Sequence, residues 1–112
     1  MDSILNCTKK LLGISVEYTA FDVDILVAIN SALMTCMQLG VGPDDGFTVV
    51  DESQSWADFL GEDLVQLQAV KQYVYLKTRL IFDPPESSAV ASSMENAAKE
   101  IEWRLNVQSV KG

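Results

Sequence analysis

The sequence predicts an all-α fold: a small bundle of about four helices, with one long acidic loop between the second and third major segments. Three observations carry that expectation. Four stretches place apolar residues at helical spacing, a dense Gly/Pro cluster separates the second from the third, and the only β-branched run, Thr48-Val49-Val50 after Phe47, is too short and isolated to build a sheet core. At 112 residues the chain has the length of one domain. We expect a single helical domain over residues 1–105 and a flexible tail over 106–112, where no apolar period is visible.

The first helix falls within residues 2–12, where Ile4, Leu5, Leu11 and Leu12 surround polar Asn6, Thr8, Lys9 and Lys10, and Gly13 follows as a stop. The second spans Phe21 to Leu39 and is apolar on most of its circumference. Its polar exceptions Asp24, Ser31, Thr35 and Gln38 fall at i, i+7, i+11 and i+14, one narrow stripe, so it reads as a central helix packed on several sides. Asp22, Asp24 and Asn30 inside it argue against a membrane span.

Gly40-Val41-Gly42-Pro43-Asp44-Asp45-Gly46 then breaks the chain, and residues 40–58 are expected as an exposed acidic loop, a class of segment that is usually functional or mobile. Trp56 and Phe59 share one helical turn and are expected to anchor the loop's end to the core. A third helix is predicted from about Glu62 to Phe82, with Glu62 and Asp63 in its first turn and Lys77 and Arg79 near its last, as the helix dipole favours. It carries two apolar stripes, Val65, Ala69, Tyr73, Leu76, Leu80 and Leu67, Val70, Val74, Ile81. Asp83-Pro84-Pro85-Glu86 ends it and starts a fourth, over about 86–105, whose stripe is Val90, Met94, Ala97, Ala98, Ile101 and Leu105. Trp103 falls off that stripe.

Charge and missing residue types exclude several functions. Sixteen acids against eight bases give a net charge of -8, and none of the bases lies in residues 21–60, which hold Asp22, Asp24, Asp44, Asp45, Asp51, Glu52 and Asp58. A chain this acidic is ill suited to gripping phosphate backbones. With no histidine there is no Ser-His or Cys-His nucleophile pair and no His-ligated metal site. Cys7 and Cys36 form no CxxC pair and read as free thiols. Asp2, Lys9 and Lys10 spoil an export signal, so a soluble, intracellular chain is expected.

Specific site motifs fail one by one. Asp45, Gly46 and Glu52 fit the fifth, sixth and twelfth places of a calcium loop, but Val41 and Pro43 stand at the first and third, where oxygen ligands are needed. Gly40-Val41-Gly42 precedes no helix and lacks a third glycine, so it cannot seat a pyrophosphate. No catalytic residues, cofactor or metal are expected. The basic residues of the last two helices, mixed with acids, read as a solvated face, whereas Trp103 and Arg104 are of the types that anchor interfaces.

Four stretches carry a resemblance: Met1-Asp2-Ser3-Ile4-Leu5 with Lys9-Lys10-Leu11-Leu12-Gly13-Ile14; Gln38-Leu39-Gly40-Val41-Gly42-Pro43; Tyr75 to Pro85, with its Phe82-Asp83-Pro84-Pro85 ending; and Glu102-Trp103-Arg104-Leu105-Asn106. In this order and spacing the chain resembles the head-tail connector (adaptor, head-completion) proteins of long-tailed bacteriophages and related prophages. The resemblance implies a non-enzymatic virion protein at the head-tail interface, present in the host cytoplasm during assembly. It would form a ring, expected to be a dodecamer, beneath the portal protein and lead the DNA channel towards the stopper or tail-completion protein. The family's C-terminal segment engages the portal, which makes Trp103, Arg104, Leu105 and Val107 the candidates for that contact. Asp22, Asp24, Asp44, Asp45, Asp51 and Glu52 are candidates for a channel-facing or partner-facing acidic surface, since a conduit should repel passing DNA rather than bind it. The rival reading is an acidic interaction or DNA-mimic protein that neutralises a basic partner; its carboxylates would be spaced along helices like phosphates, whereas here they cluster.

Overall fold

The structure, a computed structural model, describes residues 3–61 and 65–111, with side chains as far as Val107. Among the described residues there are five helices and no strand: α1 (Ile4–Leu11), α2 (Asp22–Gln38), α3 (Trp56–Leu60), α4 (Leu67–Phe82) and α5 (Ser88–Lys111). The four long ones correspond to the four expected, and α3 is the extra turn that carries Trp56 and Phe59.

The helix ends follow local chemistry. Ser3 caps α1 by accepting from the Asn6 amide, and Ser55 and Asp58 form a reciprocal capping box at α3. At the end of α2 the Val41 amide donates to Cys36 O and the Gly40 amide to Met37 O, the paired bonds that close a helix through a left-handed residue. Gly40, at φ 94°, supplies that conformation without a Cβ penalty. The same bond pair, from Gly13 and Ile14 to Lys10 and Lys9, ends α1.

α2 packs on α4, α4 on α5, and α1 rests against both α2 and α4. Ile25, Ile29, Leu33 and Cys36 of α2 meet Val70, Tyr73, Val74 and Leu76 of α4, with Ala98, Ile101 and Leu105 of α5 completing one continuous core. Transfer of such side chains from water supplies roughly 1.5–3 kcal/mol each. Trp56 and Phe59 are buried in the same core, as expected of the loop's anchor. Gly42 is required twice over, by its left-handed φ of 96° and by that anchor, since a Cβ there would lie 2.5 Å from Cζ of Phe59.

Four expectations need correction. The third major helix begins at Leu67 rather than about five residues earlier; the first-turn acids expected there, Glu62 and Asp63, lie outside the described residues. α5 continues to Lys111 rather than ending near Leu105. Residues 106–111 show no apolar period in the sequence, but extending an existing helix costs far less than starting one, so the helix continues past its apolar stripe. Val65 (79% exposed), which precedes α4, Ile81 (58%) in the last turn of α4 and Val90 (49%) in the first turn of α5 belong to predicted stripes yet face outward, since each lies at or beyond a helix end. Lastly, the stretch over 40–58 is not simply exposed. Val41 and Val49 are core residues, and the Asn30 side chain binds both polar atoms of Val49, donating to its carbonyl at 2.9 Å and accepting from its amide at 2.8 Å.

Candidate interaction surfaces

The C-terminal half of α5 sets its four candidates apart by helical position. Leu105 shares the core face with Ala98 and Ile101 and is 1% exposed, so in this conformation it is a packing residue. Trp103, two residues earlier and on the opposite side, is 67% exposed. Arg104 is exposed and donates from Nη2 to Glu100 at 2.6 Å, an i,i+4 pair open to solvent that contributes little to stability. Val107 is half-buried. Three of the four are thus accessible to a partner, with Trp103 by far the largest apolar surface among them.

The acidic candidates separate in the same way. Asp22 does not face solvent freely: its Oδ1 accepts from the Lys9 ammonium at 2.7 Å. Lys9 is 1% exposed, and the same ammonium donates to the carbonyls of Val16 (3.0 Å) and Tyr18 (2.7 Å). All three ammonium protons are therefore used, which is what makes burial of a lysine tolerable. This one side chain ties α1, the connector and the start of α2 together. Sequence reasoning placed Lys9 on a polar face, since its three oxygens come from residues 16–22 and nothing in the local pattern of α1 announces them.

Asp24, Asp44, Asp45, Asp51 and Glu52 are exposed. Asp51 is held locally, accepting from the hydroxyl of Ser53 at 2.5 Å and from its amide at 2.8 Å, and these bonds keep its carboxyl below the usual range. Gln54 organises the same turn by accepting from the amides of Val50 and Asp51, and its carbonyl accepts from the Ile4 amide at 3.0 Å, which binds the loop's end to α1.

The interior holds polar and ionisable groups of its own. Tyr73 Oη donates to Glu102 at 2.7 Å across the α4–α5 seam, and burial first, then that bond, raises its pKa. Burial, reinforced by the charge of Glu102, pushes the Cys36 thiol up to about 12, so it is unreactive at neutral pH. Among the described residues no group of His, Cys, Asp or Glu side chains could hold a metal ion, and no helix is long and apolar enough to cross a membrane.

Sequence periodicity missed one exposed surface. On α2, Val23 (74% exposed), Val27 (66%) and Met34 (58%) stand at i, i+4 and i+11, a single outward line that Asn30 interrupts. The helix is apolar on both its inner and its outer side, and the polar stripe of Asp24, Ser31, Thr35 and Gln38 runs alongside rather than opposite the core.

No curated protein and no solved structure matches the chain. The family model for the phage connector protein matches residues 4–112, which spans α1 to the C-terminus and includes all four accessible or buried candidates on α5. On this match, with the all-helical fold, the chain belongs to the phage connector protein family, the connectors of the bacteriophage head-tail junction.

Proposed function

We propose that this chain is a structural, non-catalytic subunit of the head-tail junction that assembles as a ring, a dodecamer by expectation, beneath the portal protein. The observation that carries the reading is the family match over residues 4–112. Trp103, with Arg104 and Val107 beside it, docks on the portal; an exposed Trp next to an Arg has the composition of an interface anchor. Leu105 supports that surface from beneath as part of the core. The exposed carboxylates, Asp44 and Asp45 foremost, face the channel or the downstream stopper, where repeated copies of a surface without bases repel a passing duplex. The protein is a virion component in this reading, and DNA passes through it without being specifically bound.

Sedimentation of the purified chain with portal particles, alongside a gel-shift assay with duplex DNA at low salt, tests this directly. A ring-sized assembly on the portal and no DNA retardation are expected. Retardation of DNA contradicts the conduit. A chain that ignores the portal but binds an unrelated basic protein tightly favours the acidic-mimic reading instead.

A further inference from the structure

The Asp45-Gly46 pair fits a calcium loop that the rest of the sequence does not complete, and the structure places it in an open turn. Asp44 and Asp45 form the middle of that turn, and the Gly46 amide closes it by donating to the Pro43 carbonyl at 3.4 Å, long against the roughly 2.9 Å usual for such bonds. Asp45 and Gly46 are both exposed, and among the described residues the Asp45 carboxylate has no hydrogen-bond or ion-pair partner. Nothing lies within 4 Å of where a Gly46 Cβ would stand, so no neighbour crowds it there.

These are the conditions for a reaction within the chain. An aspartyl or asparaginyl Cγ can be attacked by the next residue's backbone nitrogen when that residue carries no bulky side chain, its amide proton is free to leave and the local backbone can move. The other carboxylates fail on one count or another. Asp44 is followed by the side chain of Asp45, and Asp51 is followed by Glu52 and held by the hydroxyl and amide of Ser53. Asp58 is engaged in the capping box and followed by Phe59, and Asp83 precedes Pro84, which has no N–H to lose.

Asn30 is the instructive contrast. It precedes the small Ser31, and a carboxamide is a better electrophile than a carboxylate, so in an unfolded chain Asn30 would react ahead of Asp45. In the fold the Ser31 amide lies inside α2, and the Asn30 side chain is held by both polar atoms of Val49. The fold thus reverses the order of reactivity that the sequence sets.

We infer that Asp45 is a site of spontaneous covalent modification, isomerising to isoaspartate through a succinimide formed with Gly46. The Gly46 nitrogen bonds to Asp45 Cγ, and one carboxyl oxygen leaves as water with the amide proton and the carboxyl proton. Water then adds at the Asp45 main-chain carbonyl carbon and breaks its bond to the Gly46 nitrogen, which takes back a proton. One water is lost and one gained, nothing is oxidised or reduced, and no cofactor takes part. The product keeps its charge but runs the backbone through the side chain, one methylene longer. The acidic surface would therefore age in shape and not in charge.

Incubation of the intact chain at neutral pH and physiological temperature tests this, with isoaspartate located by electron-transfer fragmentation of a chymotryptic digest; cuts after Leu26, Leu33, Leu39 and Phe47 isolate residues 27–33 and 40–47. In the native chain isoaspartate should accumulate at Asp45 at least tenfold faster than any product at Asn30, because a helical amide reacts only when its segment opens. In guanidinium the order should invert, with Asn30 converting first. Asp45→Glu, which preserves the charge but disfavours ring closure, should remove the signal from residues 40–47. Absence of isoaspartate at Asp45 in the native chain, conversion of Asn30 as fast as Asp45 there, or a signal that persists in Asp45→Glu overturns the proposal.

Discussion

The two sides of α2 are made of the same kind of residue and have opposite fates. On the inner side Ile25, Ile29, Leu33 and Cys36 are fully enclosed; on the outer side Val23, Val27 and Met34 are more than half exposed. A helix greasy all round is normally buried all round. Among the described residues there is no fifth long helix to cover the outside, and the Val49 segment reaches this side through Asn30. Apolar residues on a helix therefore do not by themselves locate the core. In a small subunit of a larger assembly they mark the surfaces that other molecules will cover.

Substitutions on the two sides should differ sharply. Leu33→Ala on the inner face leaves a cavity and is expected to cost about 3 kcal/mol, with a fall in Tm on the order of 10 °C by calorimetry. The matching change outside, Val27→Ser, should stay within about 0.5 kcal/mol. Equal losses at the two sites would mean that the outer line is already packed within the single chain.

Lys9 tests what holds the start of α2 in place. Lys9→Ala leaves Asp22 and two carbonyls without their donor and should cost about 3 kcal/mol in urea unfolding. Little or no loss would show that the ammonium is dispensable there. Asn30→Ala strips both polar atoms of buried Val49 of their partners, and a cost of about 2 kcal/mol is expected, together with faster amide exchange around residues 48–50.

The inner face should also respond to alkali. The Cys36 thiol ionises near 9.0 when unfolded and at about 12 when folded, so between those values the native state holds a proton that the unfolded state has released. Stability contributed by the protonated thiol is complete below pH 9 and falls as pH rises, by at most about 1.4 kcal/mol per pH unit for one proton. Tyr73, raised in the same direction, adds to the loss above its own unfolded value. A Tm series from neutral to alkaline pH should show this slope, with a shallower one for Cys36→Ala.

How much of this was legible in the sequence follows from what each feature depends on. Gly13 and Gly40 are local signals and mark their helix ends correctly. Trp56 and Phe59, paired in one turn, announced an anchor. The inward place of Leu105 and the outward place of Trp103 both follow from the stripe of the last helix, although the resemblance grouped the two as one contact. The buried Lys9, the Asn30 clasp and the bare outer side of α2 were not legible, because each depends on which distant segment crosses the helix. The late start of α4 and the extension of α5 were missed for a different reason, since periodic patterns record potential burial rather than helix length.

Trp103→Ala offers the most direct test of the claim that this is a connector subunit acting through its uncovered surfaces. Trp103 is two-thirds exposed, so the variant should fold with the wild-type circular dichroism spectrum and Tm. Co-sedimentation with portal particles is expected to be retained by the wild-type chain and lost, or weakened at least tenfold, in the variant. Wild-type binding by the folded variant would contradict the assignment of this face to the portal.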